Sequence, residues 1–288
     1  MLGLNLGRRA CMVAIGGMLA TLSWTMLAGT AAAQLPPLPP LPDFIKSQGK
    51  LTVGVRCDQP PYGFTDKNGQ IAGVEVEIAK QIGTYAFGPG KTELTCVTAE
   101  NRILQLTSKK VDLLVATLAI TPERARVVDF SKYYRWSVGD VAVPKSSPIT
   151  KLDDLSGRSV IVLKGALQAK WMEDNLPKAQ QTRLNTVSDA LQALKQGRGD
   201  AFSGDGATLI VVVANDPSLR LLGEPYMLAE GAAAVRKGET EWLAYVNAAL
   251  DRIRAENYYK EWIEKTIPEN IRAYYLQAFL EPKPAVAR

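Results

Sequence analysis

Residues 111–131, VDLLVATLAITPERARVVDFS, decide which fold this chain is expected to adopt. Val111 to Ile120 is apolar on both faces apart from Asp112 and Thr117. Such a run is typical of a parallel strand that is covered on both sides, because each face of the sheet then packs against other elements. The stretch therefore predicts a buried strand of an α/β sheet that leads into a Thr-Pro-Glu-Arg turn.

The turn that follows this strand has the composition of a helix start. Thr121 can cap the helix, and Pro122 fits its first position. Arg124 is then held where a guanidinium and free backbone N–H groups can grip one carboxylate together. The alternative is a surface arginine that pairs with Glu123 or Asp129.

Strands and helices alternate in two units along the chain. The first unit reads strand Leu51 to Arg56, a helix from Val74 ended by Gly83 and the Gly88-Pro89-Gly90 turn, strand Glu93 to Val97, a helix near Ile103 to Thr107, and strand Val111 to Ala119. A second unit begins at Ser159 and alternates in the same way to residue 215. This order predicts parallel-type sheets and an α/β fold with two lobes.

Two extended apolar stretches join the units. Val138 to Pro144 leads out of the first unit, and Gly231 to Arg236 returns to it. Two such crossings form a hinge with a cleft, and ligands of open α/β sheets bind at the carboxyl ends of the strands. The expected boundaries are 48–141 and 235–288 for lobe 1, and 142–234 for lobe 2.

The start of the chain has the pattern of an export signal. Residues 1–33 combine a basic Arg8-Arg9 pair, an apolar segment and three alanines suited to cleavage. A membrane anchor is the alternative, although the remaining chain contains no second long apolar run. Residues 34–47, which include the run QLPPLPPLP, predict a stiff proline-rich linker.

Size and charge narrow the function classes. Without residues 1–33 the chain retains 255 residues, enough for two lobes with cores. It then carries 32 basic and 29 acidic residues, a net charge of +3. This balance argues against nucleic-acid binding, and no basic run interleaved with aromatic residues is present.

Two cysteines remain after the signal segment, Cys57 and Cys96. They lie at the end of the first strand and within the second, which would be neighbours in an open α/β sheet. An exported chain makes them a disulfide candidate, with two free buried thiols as the alternative. With no histidine in the chain, this pair does not indicate a metal site.

Five blocks of sequence, in this order, resemble the amino-acid-type (family 3) solute-binding proteins of bacterial ABC importers. They are GKLTVGVRCDQPPYGFTDKNGQIAGVEVEIA, NRILQLTSKKVDLLVATLAITPERARVVDFS, LDDLSGRSVIVLKG, GRGDAFSGDGATL and AAAVRKGETEWLAYVNAALDRIRAENYYKEWIEK. The resemblance covers nearly all of residues 49–265. It implies the two-lobed periplasmic-binding-protein type II fold and a periplasmic receptor without a cofactor. It also implies a permease partner in the inner membrane and a monomeric state.

The resemblance assigns two ligand-binding residues directly. The arginine of the Thr-Pro-Glu-Arg turn holds the α-carboxylate of an amino acid in this family, and here it is Arg124. The acidic residue that holds the α-ammonium corresponds to Asp205. Opposite charges on opposite lobes bind a zwitterion and make closure depend on its arrival. As an alternative or additional role, Asp205 could cap the helix that begins at Gly206.

Two further arginines favour an acidic ligand. Arg56 ends the first strand, where members that select cationic side chains carry an acid, and the Asn101-Arg102 pair resembles the glutamate and aspartate binders. The alternative is that Arg56 and Arg102 form ion pairs with Asp58 and Glu100 at the surface. Tyr62 is expected either to wall the cleft or to lie in the core.

The chain departs from the family pattern at the ligand loops. Ala119 stands where the family usually has a hydroxyl, although Thr117 and Thr121 remain nearby. Ala166 and Leu167 replace the hydroxyl residues that usually begin the first helix of the second lobe. Backbone N–H groups remain as donors, and Leu167 adds an apolar wall, so a non-amino organic acid is an alternative ligand.

Two other function classes share this pattern. The fold also resembles periplasmic dehydratases that act on cyclic dienyl carboxylates. The absence of histidine removes the commonest general acid or base, which leaves Asp205 or Glu173 as lone acids. An accessory or sensory protein with an altered site is the other class. The favoured interpretation is a receptor, not an enzyme, for a small anionic solute, most plausibly an acidic amino acid.

Overall fold

The computed structural model describes residues 35–284, so the predicted export signal lies outside the described residues. Leu38 and Leu41 of the predicted linker pack against the core of the first part of the molecule, and Ile45 is fully buried. Arg252 Nη2 donates a 2.8 Å hydrogen bond to the carbonyl oxygen of Pro36. The segment from Pro36 onward is therefore docked on the fold rather than extended away from it.

Residues 35–144 form the first alternation of strands and helices. The helices are α1 (Asp43–Lys46), α2 (Val74–Phe87), α3 (Arg102–Thr107) and α4 (Pro122–Ala125). The strands are β1 (Leu51–Arg56), β2 (Asp58–Gln59), β3 (Gly63–Thr65), β4 (Ile71–Ala72), β5 (Thr92–Val97), β6 (Leu113–Val115) and β7 (Val128–Pro144).

The rest of the described chain forms the second alternation and a helical tail. The strands are β8 (Ser159–Leu163), β9 (Gln180–Leu184), β10 (Ala201–Asp205), β11 (Leu219–Leu221) and β12 (Met227–Arg236). The helices are α5 (Leu167–Asn175), α6 (Val187–Lys195), α7 (Gly206–Asn215), α8 (Thr240–Ala255), α9 (Tyr258–Thr266) and α10 (Glu269–Leu280), with a 3₁₀ turn at Leu152–Leu155. No helix among the described residues is long and apolar enough to span a membrane.

The sheet order confirms the predicted two-lobed α/β class. It runs β5-β1-β6-β12-β7-β10-β8-β9, and β11 pairs with β7. Strands β5, β1 and β6 are parallel and form the first lobe, and β10, β8 and β9 are parallel and form the second lobe. Between them the antiparallel strands β7 and β12 carry the chain across in both directions. The two sheets are thus continuous through the crossing strands.

Two local predictions were wrong in extent. The buried strand expected over Val111 to Ala119 is regular only from Leu113 to Val115, because the chain bends at Thr117, whose φ is +51°. The helix does not stop at Gly83 but continues to Phe87, where the Gly88-Pro89-Gly90 turn ends it as expected. Gly83 is required there for packing, since a Cβ at this position would collide with Thr92 Oγ1 on β5.

The disulfide predicted from the adjacent strands is present. β1 pairs with β5 so that Val55 lies opposite Cys96. Cys57 and Cys96 are joined by a disulfide with a Cα–Cα distance of 5.5 Å and a sequence separation of 39 residues. The chain-entropy model assigns a loop of this length about 4 kcal/mol of stabilisation. The covalent bond therefore braces the first lobe beside the strand ends that border the cleft.

Candidate ligand-binding site

A cavity lies between the lobes, at the carboxyl ends of the parallel strands. It offers about 40 Å³ to the centres of water molecules, roughly three times what one buried water needs. Six of the eight predicted ligand-binding residues line it: Arg102, Thr117, Ala119, Arg124, Leu167 and Asp205. Residues that the sequence did not single out line it as well, among them Gln59, Arg135, Ser137, Gln168, Ser203 and Thr208.

Arg124 occupies the predicted position at the start of α4. The side chain of Thr121 accepts a hydrogen bond from the Arg124 backbone N–H at 3.2 Å, which confirms the cap. Its Nη1 donates to the carbonyl oxygen of Ala119 at 2.8 Å, and its Nη2 donates to that of Gly165 at 3.0 Å. Since Gly165 belongs to the second lobe, this one guanidinium contacts both lobes. Desolvation lowers the pKa of Arg124 below its ordinary value.

The alternative interpretation, in which Arg124 is a surface residue paired with Glu123 or Asp129, does not agree with the structure. Asp129 is bonded instead to the ammonium group of Lys237 at 2.6 Å. No ion pair joins Arg124 to Glu123 within residues 35–284, although the charge of Glu123 acts to raise the pKa of the arginine. The guanidinium is directed into the cavity, where only carbonyl oxygens accept its hydrogen bonds.

Gly165 is a glycine for two physical reasons. Its φ is +70°, a conformation that L side chains rarely adopt. A Cβ built on it would lie 2.6 Å from the carbonyl oxygen of Ala99 and 2.8 Å from Glu100 Cα, both on the opposite lobe. The turn before α5 can therefore approach the first lobe only without a side chain at this position. The neighbouring Ala166 and Leu167 then form part of the cavity wall.

Asp205 caps α7 and faces the cavity at the same time. Its Oδ1 accepts a hydrogen bond from the backbone N–H of Thr208 at 3.3 Å. Its Oδ2 lies 3.7 Å from Nη1 of Arg135. Both roles considered from the sequence, cap and cavity residue, therefore have a geometric basis. Asp205 is only 9% exposed, and within residues 35–284 Arg135 is the one cation close enough to form an ion pair with it.

Arg102 points into the cavity without a carboxylate partner. Its Nη1 donates to the carbonyl oxygens of Ala116 at 2.6 Å and Thr117 at 2.9 Å. Its Nε is buried with no hydrogen-bond partner in the described chain. The predicted alternative, an ion pair with Glu100, is absent among the described residues. Burial and then the nearby Arg124 lower the pKa of Arg102.

The structure does not bring Arg56 to the cavity wall. Its Nε donates to Asp58 Oδ1 at 2.9 Å and its Nη2 to Oδ2 at 2.8 Å, a bidentate ion pair. Asp58 thus neutralises the arginine, as the alternative interpretation predicted, although Arg56 is buried and does not lie at the surface as that interpretation had it. Arg56 still reaches the edge of the site, because its Nη1 lies 3.4 Å from Thr117 Oγ1.

Tyr62 also lies outside the cavity wall. It is fully buried, with its ring 6.4 Å from that of Tyr275 and 6.3 Å from that of Phe279. Both partners belong to α10, near the end of the chain. The guanidinium carbon of Arg135 lies 4.0 Å above the Tyr62 ring. Tyr62 therefore supports a cavity residue from the core instead of facing the cavity.

Glu75 and Arg135 form a buried network under the cavity that sequence reasoning missed. Glu75 is fully buried, and its Oε1 accepts hydrogen bonds from Tyr134 Oη at 2.7 Å and Arg135 Nε at 3.2 Å. Its Oε2 accepts from the backbone N–H of Thr117 at 2.7 Å, which holds the bend of the cavity loop. The available signal was a lone arginine between Tyr134 and Trp136 in an extended run.

Gln59 connects the two lobes through its amide. Its Oε1 accepts a hydrogen bond from Thr117 Oγ1 at 3.1 Å, and its Nε2 donates to Thr208 Oγ1 at 3.3 Å. The site is thus built for polar recognition on the first lobe and for closure across the cleft. Among the described residues no group of three or more His, Cys, Asp or Glu side chains is arranged to hold a metal ion.

Comparison with known proteins gives one consistent family. The ABC transporter glutamine-binding protein GlnH of Bacillus subtilis (strain 168) is 31% identical over 229 residues, which cover 78% of this chain and 84% of that protein. The solute receptor for L-cysteine of Neisseria gonorrhoeae has a TM-score of 0.75 and 33% identity, over 78% of this chain and 92% of that one. The arginine-bound form of truncated ArgBP from T. maritima has a TM-score of 0.70 and 32% identity, over 74% of this chain and 100% of that one. A family model described as bacterial extracellular solute-binding proteins, family 3, matches residues 51–269, and the chain accordingly belongs to this family of solute-binding receptors, which are not enzymes.

Proposed function

We propose that this chain is the periplasmic receptor of an ABC importer and that it binds an acidic amino acid in the cavity between its lobes. Relatives named for glutamine, L-cysteine and arginine support an amino acid as the ligand class. Their names span neutral and basic amino acids, so the acidic side chain is argued from the charges of this chain alone.

The balance of charge at the cavity is the observation that carries the proposal. Arg102, Arg124 and Arg135 line it, and Asp205 is the acidic residue of the wall. Glu75 lies underneath and is bonded to Arg135. Three cations against two anions leave a net charge of +1 at this site. An acidic amino acid carries a net charge of about −1 at neutral pH. A neutral amino acid would leave the site positive, and a basic one would add to the excess, in a setting of low dielectric constant.

The arrangement of these charges suggests a role for each residue. Arg124 takes the α-carboxylate and Asp205 the α-ammonium, as the family pattern implies. Arg102, whose Nε has no hydrogen-bond partner and which forms no ion pair within residues 35–284, takes the side-chain acid. Arg56 is left out of the ligand set, since Asp58 already balances its charge.

A binding panel of matched ligands tests this proposal. Thermal shift and calorimetry would compare glutamate with glutamine and aspartate with asparagine, and would include cysteine, arginine and lysine. A ligand at 100 times its Kd adds about 2.7 kcal/mol of stability, or roughly 5–10 °C for a protein of this size. We expect this shift from an acidic amino acid and at least about tenfold weaker binding of its amide.

Other results would contradict the acidic ligand. Tightest binding of a neutral or basic amino acid would show that the arginines serve the structure. If a dicarboxylic acid without an amino group binds most tightly, the protein is a receptor for an organic acid and not for an amino acid. The lobe boundaries given above and a monomeric state belong to the same proposal, and light scattering with and without ligand tests the latter.

A further inference from the structure

Arg135 has a hydrogen-bond donor that the protein leaves unused. The residue is only 2% exposed, yet its Nη1 has no hydrogen-bond partner among the described residues. The nearest carboxylate oxygen, Asp205 Oδ2, lies 3.7 Å from Nη1, close enough for an ion pair but too far for a hydrogen bond. It also lines the cavity. An unpaired polar group in such a position is costly, and a buried charged donor costs more than a neutral one. Satisfaction of this donor by a solute would remove the cost on binding.

The guanidinium is held in place from three directions. Its Nε donates to Glu75 at 3.2 Å, and its plane lies over the Tyr62 ring at 4.0 Å. Arg135 also lies opposite Gly231 in the pairing of β7 with β12. A Cβ on Gly231 would come within 3.1 Å of Arg135 Cγ and 3.2 Å of its Nε. The returning strand therefore leaves a space that the arginine fills, and Nη1 is fixed before any solute arrives.

The same network relates Arg135 to Arg102, another cavity-lining arginine with a buried donor that lacks a hydrogen-bond partner among the described residues. Arg102 Nη1 donates to the Thr117 carbonyl oxygen, and the Thr117 N–H donates to Glu75. Glu75 in turn accepts from Arg135. A chain of hydrogen bonds thus joins two cavity-lining arginines, each of which has a buried N–H without a hydrogen-bond partner among the described residues. Two fixed donors of this kind suit a group with two acceptor oxygens, such as a carboxylate.

We propose that Arg135 is a specificity-determining residue whose Nη1 donates to the acidic side chain of the bound solute, alongside Arg102. This inference rests on the proposed function, since it names the residue that distinguishes an acid from its amide. The fixed cation also rejects lysine and arginine, because their charged side chains would enter a site that already holds a buried guanidinium.

The decisive measurement is the ratio of Kd values for an amide and its acid. Calorimetry would determine Kd for glutamine and glutamate, and for asparagine and aspartate, with the wild type and Arg135→Gln. We expect the substitution to lower the amide-to-acid ratio by about tenfold or more, since it removes a charge-assisted contact made only to the acid. Tyr134→Phe is the matched control. It removes another donor to Glu75 but does not touch the cavity, and the ratio should stay as in the wild type.

If Arg135→Gln weakens binding of the acid and of the amide equally, or weakens neither, the role assigned to Arg135 is wrong. The proposed function would still stand as long as the wild type prefers the acid. Tightest wild-type binding of a neutral or basic amino acid would overturn both this inference and the proposed function. Should Arg135→Gln not fold, Gly231→Ala is the second variant. Its Cβ would lie 3.1 Å from Arg135 Cγ and 3.2 Å from Nε, so the arginine must shift slightly, and the ratio should fall in the same direction. A folded Gly231→Ala protein with the wild-type ratio would also overturn it.

Discussion

The two walls of the cavity differ in chemistry. The first-lobe wall and the adjoining crossing strand supply three arginines, Arg102, Arg124 and Arg135. The second-lobe wall, called the apolar wall below, has one carboxylate at Asp205 and neutral polar side chains at Gln168, Ser203 and Thr208. Its apolar members are Leu163, Ala166, Leu167, Val187, Phe202 and Leu209. The contrast places the cations of the cavity on one side and most of its apolar surface, with the single carboxylate Asp205, on the other. A solute can then bind the charged wall first and lose its water as the apolar wall closes on it.

The walls also differ in how they are held. The charged wall rests on a disulfide, on Glu75 and on the core around α2, α8, α9 and α10. The apolar wall rests on two smaller hydrophobic clusters that cover the faces of the second sheet. Buried charges require fixed partners, whereas apolar side chains need only close packing. Four substitutions test whether this division of roles holds, and they are ordered by the size of their expected effect.

Removal of the disulfide should have the largest effect on the free energy of unfolding. The variant Cys57→Ser with Cys96→Ser should lose up to about 4 kcal/mol, because the unfolded chain regains the entropy of an open loop. Urea unfolding of the variant and the wild type measures the difference. Thiol titration of unfolded, non-reduced periplasmic protein should detect no free thiol from this pair. Two titrated thiols would contradict the disulfide.

Arg124→Ala should abolish the strongest contact with the solute. Two charge-assisted hydrogen bonds to a carboxylate would be lost, so affinity should fall about hundredfold without unfolding the protein. Arg126→Ala, an exposed arginine on the same turn, is the control and should bind like the wild type. Calorimetry of both variants checks this, and an unchanged Kd for Arg124→Ala would remove the residue from the site.

Asp205→Asn should distinguish the two roles of Asp205, namely the cap of α7 and the proposed counter-charge to the ammonium group of the solute. Asparagine caps a helix about as well as aspartate, so the unfolding temperature should stay nearly constant. Loss of the charge should weaken the binding of an acidic amino acid by about tenfold. The matching dicarboxylic acid without an amino group should bind no worse than it binds to the wild type. Equal losses for both ligands would mean that Asp205 does not hold the ammonium.

Leu167→Thr should have the smallest effect and the opposite sign. A hydroxyl at the start of α5 adds a neutral hydrogen bond to a carboxylate, worth about 0.5–1.5 kcal/mol, or roughly two- to tenfold tighter binding. Leu167→Val has nearly the same shape without the hydroxyl and is the control. Weaker binding by the threonine variant than by the valine variant would show that the apolar wall itself contributes to affinity.

Local features of the fold were predictable because neighbouring residues produce them. The Thr121 cap on α4, the strand Leu51–Arg56 and the pairing of Cys57 with Cys96 were all expected from the sequence and are present. Each depends on backbone preferences or on adjacent strands, and both are encoded over short spans. The placement of Arg124 and Asp205 in one cavity also agrees with the positions that the family motifs suggested.

Features that depend on distant contacts were not predictable in the same way. Tyr62 is enclosed by Tyr275 and Phe279, more than 200 residues later in the chain. The strand expected to reach Ala119 ends early. The carboxylate of Glu75, on α2, accepts a hydrogen bond from the backbone N–H of Thr117 and so stabilises the bend there. No periodicity in either segment reports a partner so far away.

The sequence by itself thus determined the two-lobed class and the order of strands and helices, and it predicted a carboxylate-binding site at the Thr-Pro-Glu-Arg turn. Only the tertiary structure decided which arginines face the cavity. Asp58 neutralises Arg56, whereas Arg102 and Arg135 have unpartnered donors at the cavity within the described residues. The physical reason is that the role of a charge depends on its nearest opposite charge in space and on its loss of water, and neither is set by neighbours in sequence.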